Sequence, residues 1–437
     1  MRTLKSENRE SKTLPLVHVL LTSIFLFLVS GTGSTFAGDN SIRPIFTLTL
    51  ADGTTVSGNV EQIGDNWSIR MAGAQPREAA EVVSLRRDKI PIPPSPHAEQ
   101  IILANGDRLP ATIQELIGDR LRVHGDLGQE GDFALPISSV SVIWITAPDG
   151  VEHPDKWRRR LLVDRRSHDT VYLRNGEIIE GIVNSIVAAQ GADAPRSGTL
   201  QIESGKKDVA VPLKNIAVVA FNTGLIRNLQ PKGVHGRLVL DNGVRLTLAS
   251  AWSDGHVITG KTVFGGDVSI PLHRVIALDW LGGCVVYLSD LKPRSYEFRS
   301  FLGGVDWPYV KDSSVAEGDI RLGGRLYDKG IGVHSACRLT YAVDADVNAF
   351  EAMVGMDDLV GKEGSARIQV LLDAKPQKLA WDGMLAGGSK PRNVRVPISG
   401  AKEITLVTDF GDFGDVQGCV DWADARFIRK EKIEHRK

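Results

Sequence analysis

The stretch TVYLRNGEIIEGIV, Thr170 to Val183, alternates apolar and polar residues on both sides of Asn175 and Gly176. Alternation with a period of two sends successive side chains to opposite faces of a strand. An Asn-Gly pair supplies the positive φ that a tight hairpin turn needs. The stretch therefore reads as two antiparallel strands joined by a short turn. It decides the fold because it recurs: TLTLADGTTVSGNV (Thr47 to Val60), QIILANGDRLPATI (Gln100 to Ile113) and GRLVLDNGVRLTLA (Gly236 to Ala249) follow the same scheme, with turn glycines Gly53, Gly106 and Gly243.

A second signal trails each hairpin by roughly 30 residues. It appears as ALPISSVSVIWI, AVPLKNIAVVAF and SIPLHRVIALDW, carrying Pro136, Pro212 and Pro271; in the first unit VVSLRRDKI sets Ser84 in the proline place. Proline is tolerated where a strand opens or lies at an edge, since no ladder donor is needed there. Four units of about five short strands result. Their lengths and turn spacing resemble the SH3-like and Sm-like small-barrel folds, with Gly58 and Gly181 where those folds bend the second strand. The expected units span 38–90, 98–150, 168–225 and 234–285.

The segments around the units read differently. Arg2, Lys5, Arg9 and Lys12 precede an apolar run from Leu14 to Ser30, and Thr35-Phe36-Ala37 fits a small-x-small cleavage site. This predicts a signal peptide over 1–37 and an exported chain in the periplasm, at the cell surface or secreted; a retained segment would instead anchor it to a membrane. No later stretch is apolar enough to span a bilayer. Lys89 to Gln100 is proline-rich and reads as an extended spacer. His153 to Asp169 places Trp157, Leu161 and Leu162 at helical spacing among Arg158, Arg159, Arg160, Arg165 and Arg166, either a polyanion contact or a linker helix with a solvated basic face. With 52 Lys and Arg against 53 Asp and Glu, the whole chain has no net attraction for nucleic acid.

From about Arg299 the repeat stops, and six or more alternating segments imply an antiparallel sandwich or jelly roll. The fold class is thus all-β: tandem small barrels followed by a jelly-roll β-sandwich. In that region KGIGVHS, FEAMVGMDD, GSARIQVLLD, GAKEITLVTDFGD and DWADARF stand in order. This series, from about Tyr296 to Arg429, resembles the NPCBM domain, a carbohydrate-binding module related to carbohydrate-binding module family 51 and found beside glycoside hydrolases. The resemblance implies a jelly roll over 296–430 that binds galactose-containing glycans, often with a calcium ion.

Sugar sites combine planar polar groups for hydroxyls with an aromatic face for the C–H side of the ring. His334, Asp357, Asp358, Asp421 and Trp422 are the residue types such a site needs; each could equally serve the fold, because buried polar groups must be paired in any case. The family pattern carries Asp-His-Ala before DWADAR, where this chain has Gly418, Cys419 and Val420, a departure that removes two polar side chains. Asp409, Asp412 and Asp415 lie in a Gly-containing loop that could wrap calcium or form an acidic turn. Cys337 and Cys419 could pair in an exported protein, leaving Cys284 free, or all three could be unpaired.

Three functions follow as expectations: a non-catalytic glycan-binding protein; a scaffold whose barrels bind other exported proteins by strand addition, or an accessory part of a glycoside hydrolase system; and a hydrolase acting through Asp357 or Asp358. No catalytic-sized domain remains outside the barrels and the module, so an enzyme is not expected.

Overall fold

The structure is a computed structural model and describes residues 43–188, 197–301, 303, 306–316, 318–373 and 377–430. The signal peptide expected over 1–37 lies outside the described residues. Their regular structure is almost entirely strand, with one α-helix, Pro154–Val163, and no helix among the described residues is long and apolar enough to cross a membrane.

All four hairpins form, and the same turn chemistry builds each. In the third, Leu173 N donates to Glu177 O, Gly176 N donates to Leu173 O, and the Asn175 side chain accepts from Glu177 N at 3.1 Å. Asp52, Asn105 and Asn242 accept from the amide two residues on in the same way. Gly53, Gly106, Gly176 and Gly243 sit at φ 86–89°, a region that admits glycine at no steric cost. The turns are three-residue loops in which only the glycine is left-handed, while the Asp or Asn before it acts as a side-chain cap.

In each unit the first strand pairs with both the second and the last. Asp169–Leu173, for example, lies between Ile178–Ala188 and Ile216–Ala220. Pro136, Pro212 and Pro271 close the fourth strand and cap a short 3-10 turn that leads into the last one. The first unit carries Glu78 at that place, with Glu81 completing a capping box. Ser84 therefore does not occupy the proline position; it lies within the last strand, Val82–Arg87. Gly181 does mark a close approach: a Cβ there would stand 2.1 Å from the Glu203 carbonyl oxygen.

The units join out of chain order. The last strand of the first unit pairs with the last of the fourth, Leu85 opposite Leu278. The last strand of the second pairs with the last of the third, Ile143 opposite Val219. The second strand of the fourth unit touches both neighbours, Ser253 opposite Ile63 and Arg245 opposite Arg108. One apolar core runs through all four, as expected of units too small to bury enough surface alone.

The basic segment is largely consumed internally. Arg158 is buried over the Trp144 ring at 5.1 Å, Arg159 reaches Asp319 at 2.8 Å, and Arg166 donates to the Phe221 and Leu161 carbonyls. Trp157 packs between Trp144 and Tyr172. This is a linker helix: Arg158, Arg159 and Arg166 turn onto its own chain, while Arg160 and Arg165 stay exposed.

The C-terminal region is a two-sheet sandwich. One sheet runs Val310–Lys311, Gly330–His334, Cys419–Arg429, Val347–Met356, Arg392–Pro397; the other runs Ser295–Phe298, Cys337–Ala342, Glu403–Phe410, Ser365–Leu372, Lys378–Ala386. The first sheet also takes in Val285–Tyr287, whose residues pair with Arg426 to Ile428. The module thus begins near residue 285 rather than at the expected 296: the last strand of the fourth barrel feeds almost directly into it. Val83, Cys284, Val285, Tyr287, Ala349 and Ile428 form a shared apolar seam between barrels and module.

Arg245 ties the two parts together. Its side chain is 2% exposed and holds Asp328 through two hydrogen bonds of 3.1 Å, while donating to the carbonyls of Pro93, Pro94 and Gly243. The proline-rich spacer is therefore pinned rather than free.

Two outcomes test this architecture. Arg245→Met should cost about 3 kcal/mol in denaturant unfolding, because it strands Asp328 and three carbonyls in a desolvated seam. A fragment starting at residue 283 should melt well above one starting at residue 296, which lacks the strand facing Arg426 to Ile428; equal melting temperatures would place that strand outside the module's cooperative unit.

Candidate functional site

One end of the sandwich gathers the loops. Ser295–Phe298, Gly330–His334, Val347–Met356 and Glu403–Phe410 finish there, and Cys337–Ala342, Ser365–Leu372 and Cys419–Arg429 begin there. His334 is the last residue of its strand and only 6% exposed. Its Nδ1 lies 2.8 Å from the Ser335 carbonyl oxygen; a carbonyl only accepts, so Nδ1 carries the proton and Nε2 is left as the outward-facing nitrogen. The imidazole is stacked on the Trp307 indole, centroids 4.6 Å apart and planes 15° from parallel, with Phe298 edge-on at 6.4 Å. Gly330 and Gly332 make the approach possible. Gly330 is at φ 154°, and a Cβ on either would collide with backbone, at Gly330 with Trp422 O and at Gly332 with Ser313 O.

Trp307 was not among the residues singled out from the sequence. It is 37% exposed and held by the Tyr296 hydroxyl donating to its carbonyl. The available signal was a Trp-Pro pair in the loop preceding the His334 strand. Other aromatic surface lies at the same end: Phe301, 55% exposed, stands edge-on to Phe410 at 5.1 Å, Arg299 covers the Phe410 ring at 5.3 Å, and Phe413 is exposed.

The remaining expected site residues separate. Trp422 is fully buried against Phe350 and donates to Thr408 Oγ1 at 3.3 Å; it belongs to the core and offers no face to a sugar. Asp358 accepts from Gly323 N and Gly324 N at 2.8 and 2.7 Å and so braces a neighbouring hairpin turn. Asp357 and Asp421 come together beneath the rim, 1% and 0% exposed. Asp357 Oδ1 accepts from Leu359 N, Asp357 Oδ2 has no partner, and the Asp421 oxygens have only the Asp357 carboxyl and the Ser314 hydroxyl beside them, without a well-formed hydrogen bond. Burial, and then the Asp357 carboxyl beside it, push Asp421 well above the usual carboxylate range. Burial and a neighbouring carboxyl both favour the protonated form of Asp421.

The loop acids do not converge. Asp409 turns to Phe410 N and lies 3.8 Å from Arg299, and Asp415 uses its carbonyl to accept from Gly418 N. Among the described residues no three His, Cys, Asp or Glu side chains are grouped closely enough to hold a metal, so Asp409, Asp412 and Asp415 form an acidic turn. Nor do Cys337 and Cys419 pair. All three cysteines are free and buried: Cys337 opens a strand opposite Thr408 in one sheet and Cys419 opens a strand opposite His334 in the other. Burial pushes both thiols up to about 12, which keeps them protonated and unreactive. A Cβ at Gly418 would stand 2.1 Å from Ser335 Oγ, a side-chain atom that can rotate away, and 3.2 Å from the Asp415 carbonyl oxygen, so an aspartate there requires Ser335 to turn.

Residues 285–428 match the NPCBM/NEW2 domain model. A protein of Renibacterium salmoninarum named "Putative endo-alpha-N-acetylgalactosaminidase" is 34% identical over 127 residues, 28% of this chain; the chain spans only 8% of that relative's length. Among solved structures, a family 51 carbohydrate-binding module from Clostridium perfringens GH95 in complex with methyl-galactose is 28% identical, matched over 33% of this chain and 99% of its own, with a TM-score of 0.30. A second such module, with its neighbouring domains, from Clostridium perfringens ZmpB in complex with GlcNAc is 25% identical over 40% of this chain and 36% of its own, also at 0.30.

The Asp357–Asp421 pair has a signed pH consequence. A carboxyl whose folded pKa is raised binds its proton more tightly folded than unfolded, so its cost is absent below the unfolded value of about 3.9 and grows as pH rises toward the folded value. Thermal melts from pH 4 to 8 in chelator should show wild-type stability falling across this window more steeply than that of Asp421→Asn; parallel curves would mean that Asp421 carries no such proton.

Proposed function

We propose that the chain is an exported, non-catalytic glycan-binding protein whose C-terminal module takes a galactose-type sugar at the loop-lined end. The observation that carries this reading is the stacked Trp307–His334 pair. An indole more than a third exposed supplies an apolar face for the C–H side of a pyranose, and the imidazole behind it fixes that face and offers Nε2 to a hydroxyl. The preference for galactose rests on the family resemblance and on the name of the Renibacterium salmoninarum relative. Export rests on the basic-then-apolar N-terminal sequence. A hydrolytic role for Asp357 or Asp358 lacks support in the geometry: Asp357 is inaccessible and both Asp358 oxygens bind backbone amides.

Calcium is implied by the same resemblance; of the oxygens it would need, Asp357 and Asp421 would supply carboxylate oxygens that lack well-formed hydrogen bonds. Bound there it would neutralise the pair and brace the rim from below. Chelation at pH 7 would then lower the melting temperature of the wild type but not of Asp421→Asn.

Titration of the full-length protein with methyl-galactose tests the sugar reading. Trp307→Ala should weaken binding about tenfold, or roughly 1.4 kcal/mol, through loss of the stacking face, and His334→Ala should weaken it and also lower the melting temperature, since it strands the Ser335 carbonyl. Absence of binding to any galactose-containing glycan would sink the reading. Full binding by Trp307→Ala would move the site away from this rim.

A further inference from the structure

A polar cavity lies where the module faces the first and fourth units, lined by the opposite ends of the strands that lead to the rim. It measures about 540 Å³ and is walled by the first unit, the start of the proline-rich spacer, the last strand of the fourth unit and the outer face of the module. That size falls within the ~300–1,000 Å³ typical of small-ligand sites. Its rigid walls are salt-bridged: Arg86 to Asp279 at 2.6 Å and Arg426 to Glu351 at 3.0 Å.

Against these fixed walls several lining groups are uncommitted. Asp424 has no side-chain hydrogen bond or ion pair within 4 Å among the described residues, and its backbone stands at φ 49°, an uncommon conformation for a residue with a side chain. It sits where the long strand Cys419–Arg429 slips register against Val347–Met356, between Glu351 and Met353; such bulges re-aim a side chain. The Arg325 side chain has no such partner either and is exposed, and Lys89 approaches only Asp88, at 3.8 Å. Thr49 and Ser84 line the barrel side with side-chain hydroxyls that make no hydrogen bond there. Met353 and Ile90 add apolar surface between the polar groups.

We propose that this cleft binds an acidic sugar, a hexuronic acid unit alone or at the end of a chain. Arg325 and Lys89 take the single carboxylate. Thr49, Ser84 and Asp424 pair with the ring hydroxyls, and the apolar patches meet the C–H faces. A carboxyl among the lining groups disfavours a phosphate dianion by like-charge repulsion, and the two cations favour an acid over a neutral hexose. The site stands apart from the rim and does not depend on the rim's binding galactose.

The test titrates the full-length protein with D-glucuronic and D-galacturonic acid, with glucose and galactose as neutral controls and inorganic phosphate as a simple anion. A uronate should bind in preference to the controls. Arg325→Ala and Asp424→Asn should each weaken it about tenfold, the size expected for one charge-assisted hydrogen bond; asparagine tolerates the left-handed backbone at 424, so the fold is kept. Trp307→Ala should leave uronate affinity unchanged, which separates this site from the rim. The proposal is overturned if no uronate binds, if neutral hexoses bind as well or phosphate better, or if both cleft variants retain full uronate affinity.

Discussion

The guanidinium of Arg245 is the point on which the parts converge. It leaves the second strand of the fourth barrel, fixes two carbonyls of the proline-rich spacer, and grips Asp328 just before the strand that ends in His334. Burying a charge is costly unless every donor finds a partner, and here the partners come from three separated segments. The planar fork suits this role better than a lysine would, because it satisfies a carboxylate and several carbonyls in fixed directions. Asp328 would be driven up by burial, but Arg245 and Arg237 hold it below the usual range. The cavity between module and barrels exists because this contact, together with the apolar seam at Val83 and Ile428, sets the two bodies at a fixed separation.

At the loop-lined end the sandwich uses a different principle. Strand ends leave backbone groups unpaired, and loops satisfy them: Ser335 N donates to Gly418 O, and Asp357 N to Cys419 O. These crossings draw His334, Asp357 and Cys419 into one neighbourhood although they are distant in sequence. At this end Trp307 and Phe301 reach solvent beside the exposed Arg299 and the half-exposed Asp409 carboxyl, while Asp357 and Asp421 lie underneath.

Much of the fold was legible because it is written in local patterns. Asn-Gly and Asp-Gly turns fix hairpins from a few residues, and the structure repeats the same cap at Asp52, Asn105, Asn175 and Asn242. The motif series of the module led to the NPCBM match, though its first strand, Val285–Tyr287, was too short to register as an alternating run. Proline misled at Ser84, because the shared feature is a capped 3-10 turn and Glu78 with Glu81 satisfies it by other means. The site was read less well. His334 lies at the rim as expected, but residue type alone could not tell that Trp422 faces inward, since a strand shows its period and not which face is the core. Trp307 sits in a loop, where no periodicity marks a side chain, and its role rests on a stacking contact that only the three-dimensional arrangement supplies.

The pairing of the first barrel with the fourth, and of the second with the third, gives the chain a nested connectivity. During synthesis the last strand of the first unit, Val82–Arg87, emerges long before Val275–Leu281, which covers its edge. Until then it presents an unpaired ladder of the kind that invites pairing with another chain. Arg86 and Arg87 at the end of that strand place charge on the waiting edge, a guard against association with neighbouring nascent chains.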